Sequence, residues 1–137
     1  MKIVVIVIGL LILSMTNFVF ASDANPSNSG NTTYRDPTTG MEFIFVKGGC
    51  YQMGDSFGDG YDDEILHEVC IDDFYIGKFE VTQGEYEKVI GSNPSYWKKG
   101  ENYPVERISW PDTQVFIKKL NTLSSKNYRL PTEAEWE

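Results

Sequence analysis

Few side chains in this sequence could do chemistry: Cys50 and Cys70, the lone histidine His67, an acidic stretch and a cluster of aromatic residues. A thiolate nucleophile needs a base within hydrogen-bonding reach. His67 stands three residues before Cys70 in a strand-like run, and that odd spacing sends the two side chains to opposite faces. His67 is therefore expected to be a hydrogen-bonded structural residue in an apolar-alternating strand. The cysteines lack a C-x-x-C spacing, which excludes zinc fingers and thioredoxin-type loops. One histidine excludes centres built on two or three imidazoles from this chain. Gly54 to Glu64 carries Asp55, Asp59, Asp62, Asp63 and Glu64, yet it lacks the alternating order of an EF-hand. A solvated acidic loop is the better expectation than a calcium site. Pro94 to Tyr103 holds Tyr96, Trp97 and Tyr103. Such rings can stack on a sugar when exposed, but filling the core is their commoner use in a loop-rich domain.

Composition removes further classes. Twelve basic residues against 20 acidic ones give a net charge of −8 with no basic run, so nucleic-acid binding has no electrostatic footprint. Neither a P-loop nor a Rossmann glycine pattern occurs. Lys2 opens an apolar run from Ile3 to Leu13, broken only by Gly9; a polar stretch and then Val19-Phe20-Ala21 follow. Residues 1–21 are read as a cleaved export signal, the run being shorter than the ~18–20 residues of a stable membrane span. No cysteine follows the leader, so no lipid-modified N-terminus is expected. The expected location is extracytoplasmic, either periplasmic or secreted. In an oxidising compartment Cys50 and Cys70 are expected to form a disulfide between neighbouring strands, worth roughly 3 kcal/mol for a loop of about 20 residues. The remaining chain suffices for one domain. Much of the 41% apolar content sits in the leader, so the core must be built from few, large side chains among many turns.

The elements that would position these residues are legible in part. Residues 22–40, rich in Asn, Ser, Thr, Pro and Gly, read as a flexible tether, with Asn31-Thr32-Thr33 a glycosylation sequon in a eukaryotic source. Structure is expected from Met41: a strand at Glu42–Lys47, a sharp bend or bulge at Gly48-Gly49, strands at Cys50–Met53, His67–Asp73 and Phe74–Glu80, and a bulge at Gly77. Thr82-Gln-Gly-Glu85 is a capping box with Val81 and Tyr86 at the staple positions, and Gly91 is the stop. A short strand is expected at Val105–Ser109. A second helix capped by Ser109 should bury Phe116, Leu120 and Leu123 at i, i+4 and i+7. Thr132-Glu-Ala-Glu135 opens a third helix of one turn, which cannot stand alone. Arg129 can pair with the nearby glutamates, and Trp136 needs a core to enter.

Five strings, in this order, carry a resemblance: Gly48-Gly-Cys-Tyr-Gln-Met-Gly54; His67-Glu-Val69; Asp73-Phe-Tyr-Ile-Gly-Lys-Phe-Glu-Val-Thr82; Pro104-Val-Glu-Arg-Ile-Ser-Trp110; and Tyr128-Arg-Leu-Pro-Thr-Glu-Ala-Glu-Trp-Glu137. Together they resemble the formylglycine-generating enzyme family, also called the sulfatase-modifying factor family. The resemblance covers residues 41–137. It implies an α+β, C-type-lectin-like formylglycine-generating-enzyme fold, rich in irregular structure and incomplete at the C-terminus. Family enzymes oxidise a protein cysteine to formylglycine with dioxygen and a copper ion held by two cysteines of the C-terminal half. Cys50 and Cys70 do not match that pair, so no catalytic, cofactor or metal residue is carried onto this chain. Copper and calcium are implied for the full-length family and none for these residues. Two readings follow: the N-terminal part of an exported cysteine oxidase, or a non-catalytic extracytoplasmic binding module. The aromatic loop 94–103 is the candidate ligand surface, and a protein substrate or a glycan is the expected partner.

Overall fold

The computed structural model describes residues 2–5, 32–54 and 65–137. The acidic stretch 55–64 and residues 6–31, with most of the expected leader and the first part of the tether, lie outside the described residues. In chain order the elements are β1 (Lys2–Val4), β2 (Thr33–Arg35), β3 (Glu42–Val46), β4 (Gly49–Met53), β5 (His67–Ile71), β6 (Phe74–Gly77), α1 (Gln83–Ile90), α2 (Trp110–Leu123), β7 (Asn127–Arg129) and α3 (Glu133–Trp136).

A five-stranded sheet runs in the order β2-β3-β6-β1-β7, and β4 and β5 form a separate antiparallel hairpin. β2, β3 and β6 are antiparallel neighbours, whereas β1 lies parallel to both β6 and β7. A parallel interior strand is buried on both faces, so its sequence is a continuous apolar run. The start of the expected leader answers that description: Ile3 and Val4 are 0% exposed. The core gathers Ile3 and Val5 with Phe43, Tyr128 and residues of both helices, including Tyr86, Phe116 and Leu120. The Tyr86 and Phe116 rings stack face to face at 5.2 Å.

Both long helices start as their capping boxes dictate, at Thr82 and Ser109, and α1 stops at Gly91 in the left-handed region at φ 93°. Helix α2 buries Phe116 and Leu120 but leaves Leu123 exposed, because that residue ends the helix immediately before its cap, Ser124.

Four expectations are corrected. The tether does not extend to residue 40: β2 is formed, and Asp36 behind it is wholly buried. Asp36 accepts from the Thr39 amide at 2.7 Å and hydroxyl at 2.8 Å, the Tyr128 hydroxyl at 2.6 Å and the Ser124 hydroxyl at 3.1 Å. Burial opposes its ionisation, but these donors outweigh burial and hold its carboxyl below the usual range. No strand forms at 105–109, where Arg107 adopts φ 59° and breaks any extended run. Gly77 carries no bulge and pairs in register with Phe43. Gly48 is needed for close approach instead of a bend: a Cβ there would lie 2.3 Å from the Ile71 carbonyl oxygen.

Candidate functional site

The β4–β5 hairpin settles what the cysteines do. Cys50 faces Cys70 directly in the antiparallel register, and their sulfurs are joined at 2.07 Å. Both cysteines of the sequence are thereby consumed. The carboxylate of Glu68 lies near the two sulfurs, but a disulfide offers no thiolate, so this trio is no metal centre. The family's copper needs two thiolates, and the residues present do not fit it. His67 is exposed and not part of an apolar face; its Nδ1 lies 2.8 Å from the Ile65 carbonyl oxygen. The histidine and the two sulfurs therefore form no thiolate–base pair.

The hairpin is also the seat of α3. The Tyr51 hydroxyl donates to the Ala134 carbonyl at 2.5 Å. Arg129 forks onto Glu135 at 2.6 and 2.5 Å, while the Thr132 amide donates to the same carboxylate at 2.9 Å. The Arg129 guanidinium, helped by Thr132 and opposed by burial, holds the Glu135 carboxyl down at about 2. A one-turn helix is thus fixed by its cap, an ion pair and a phenol. Trp136 enters no core: it is 56% exposed and, with Phe79, lines an open cleft of about 770 Å³.

A second surface is built around one buried amide. Gln83, in the first turn of α1, is 3% exposed. Its Nε2 donates to the Trp97 carbonyl at 2.9 Å and the Pro104 carbonyl at 3.3 Å, and its Oε1 accepts from Asn93 at 2.9 Å. Glu106 accepts from the Trp97 amide at 2.7 Å and donates its own amide to Ser95 Oγ at 3.1 Å. Backbone bonds from Gln83 to Tyr103 at 2.7 Å and from Gly84 to Glu101 at 2.9 Å tie the loop to the helix start. The segment 92–106 therefore has no regular structure, yet many of its backbone groups are paired.

What this frame presents is aromatic. Tyr96, Trp97 and Tyr103 are 65%, 63% and 49% exposed, so the expected core-filling role gives way to a surface one. Tyr96 and Trp97 meet edge to face at 5.0 Å, Arg107 lies over Tyr96 at 5.3 Å, and Lys99 lies over Tyr103 at 6.0 Å. Trp97, Tyr103, Lys99 and Glu106 border a depression of about 270 Å³ floored by Gln83 and Pro104. Arg107 holds its place with a left-handed backbone that a non-glycine residue adopts at a cost of about 1–2 kcal/mol. Sequence reading found the rings but missed Gln83, Asn93 and Glu106. Each is a polar residue whose partners lie about ten or more positions away, and periodicity carries no signal of that.

The comparisons with known proteins agree with this architecture. The pattern of the sulfatase-modifying factor enzyme 1-like domain matches residues 29–137. The chaperone protein LppX of Paenibacillus barcinonensis is 35% identical over 81% of this chain and 47% of its own length. Among solved structures, Treponema denticola variable protein 1 superimposes with a TM-score of 0.56 at 26% identity, covering 66% of this chain and 34% of that one. PvdO from Pseudomonas aeruginosa superimposes with a TM-score of 0.65 at 24% identity, covering 80% of this chain and 50% of that one, which speaks to fold alone. The chain thus spans about half the length of the curated relative it matches. Its α+β fold is the C-type-lectin-like one of these neighbours. By the match over residues 29–137, this chain belongs to the sulfatase-modifying factor family, that of the formylglycine-generating enzymes.

Proposed function

We propose that this chain acts as an extracytoplasmic binding module for another polypeptide, exported by a leader that is removed, and that it performs no cysteine oxidation itself. The observation that carries this reading is the exposed Tyr96-Trp97-Tyr103 surface on a frame fixed by the buried Gln83. Aromatic rings exposed on a rigid support supply binding area at little conformational cost. The name of the relative LppX, a chaperone protein, supports polypeptide binding over oxidation. The disulfide supports it too, since oxidase chemistry of the family type requires cysteines other than Cys50 and Cys70. A copper-dependent oxidase activity would belong to a longer parent protein.

Trp97→Ala tests the module. The wild-type chain is expected to retain an unfolded, carboxymethylated polypeptide on a column and Trp97→Ala to lose that retention; equal retention overturns the assignment. Copper, dioxygen and a cysteine peptide provide the control, read by peptide mass. Conversion to formylglycine by this chain alone would restore the oxidase reading. A second reading, a glycan ligand, is favoured by one feature: Lys99 and Glu106 border the same depression as Trp97, placing polar partners beside a stacking ring. Soluble oligosaccharide displacing the polypeptide would select it.

A further inference from the structure

The aromatic surface carries cations that the fold does not use. In a chain of net charge −8, Lys98, Lys99 and Arg107 stand together between positions 98 and 107, and all three are exposed. The ion pairs among the described residues are Lys78–Glu42 and Arg129–Glu135, so no carboxylate there holds any of the three. The two acidic residues of the same stretch are turned to other tasks. Glu101 packs against Gly84 and lines the Phe79–Trp136 cleft instead of the depression beside Trp97. Glu106 is half-buried, with one carboxylate oxygen taken by the Trp97 amide at 2.7 Å.

Two of the cations are placed by the rings. Arg107 lies over Tyr96 at 5.3 Å and Lys99 over Tyr103 at 6.0 Å. A guanidinium resting on a ring face keeps the N–H donors of its edge free, in the fork that matches a carboxylate. Arg107 reaches this position with its backbone at φ 59°, a conformation that costs a non-glycine residue stability. No hydrogen bond or ion pair within the described residues offsets that cost. We propose that the Tyr96-Trp97-Tyr103 surface receives acidic segments of extended polypeptide: Arg107 and Lys99 take carboxylates, and the exposed rings take the apolar side chains between them. This deepens the polypeptide-binding reading above and rests on it. The negative charge of the rest of the chain repels such a segment and so confines it to this patch.

The test uses the full chain and three synthetic peptides of one length. All share the same tryptophan and leucine positions, and the remaining positions are glutamate, glutamine or lysine. The glutamate peptide is expected to bind roughly ten-fold more tightly than the glutamine one, and the lysine peptide most weakly. Arg107→Gly relieves the backbone and removes the fork, so it should melt no lower than wild type while binding the glutamate peptide roughly ten-fold more weakly. Lys99→Gln should weaken binding roughly three-fold. Lys118→Gln removes the same charge from an exposed position of α2 outside the depression and should leave binding unchanged. Equal binding of all three peptides overturns the acidic preference and leaves the polypeptide reading standing. Binding of none overturns that reading and this inference with it. A loss with Lys118→Gln equal to that with Arg107→Gly overturns the assignment to this patch. A uronic-acid oligosaccharide that binds more tightly than the glutamate peptide overturns the choice of polypeptide.

Discussion

The interior of the sheet around β1 and the loop 92–106 solve the same problem by opposite means. Around β1 the chain is held by burial: three consecutive β-branched residues vanish into the core and their backbone pairs with strands on both sides. Around the loop it is held by polar groups, with Gln83, Asn93, Ser95 and Glu106 pairing a backbone that meets regular pairing only at the Thr82–Pro104 bridge. The first arrangement hides its side chains. The second frees them, so Tyr96, Trp97 and Tyr103 stand exposed on the loop. Stability and display are divided between the two regions.

Substitutions should separate these two modes. Ile3→Ala removes a wholly buried side chain of the core and is expected to destabilise the uncleaved chain by about 2–5 kcal/mol in denaturant unfolding. A loss below 1 kcal/mol would show that β1 is dispensable to the sheet. Gln83→Ala leaves two carbonyls and the Asn93 amide without their partner. We expect a loss of about 1–3 kcal/mol, with faster hydrogen exchange confined to residues 92–106. Exchange that accelerates throughout the sheet would mean that the loop is no separate unit.

Acid provides a third probe. The Glu135 carboxyl, held at about 2 against an ordinary 4.5, stabilises the fold above the ordinary value, and that contribution is lost as pH falls from about 4.5 towards 2. Asp36, also lowered, adds to the same acid-side loss. Glu135→Gln should flatten the fall in melting temperature over this window, and an unchanged slope would remove the Arg129 pair from the account. The smallest effect is expected at Trp97. Its exposed ring should cost at most about 0.5 kcal/mol of stability on Trp97→Ala, while ligand retention disappears.

What the sequence disclosed follows the same division. Helix starts were legible because capping is local: Thr82, Ser109 and Thr132 each bond an amide three residues on. The strand at residues 2–4 was hidden because an apolar run of this kind is also what an export leader requires, and composition cannot separate the two. Asp36 was hidden because its partners Ser124 and Tyr128 lie far along the chain, so a polar stretch resembled a tether. At the aromatic surface the rings could be read but their exposure could not. Exposure depends on Gln83 and Glu106 holding the backbone outward, a long-range fact with no local pattern.

The parallel pairing of Lys2 with Asn127 has a consequence in time as well as in space. A sheet that joins residue 2 to residue 127 cannot close until both segments have left the ribosome. Contacts of such long sequence separation also form slowly, because loop closure comes before any reward. This sheet therefore stays open while the residues between those two strands are being made.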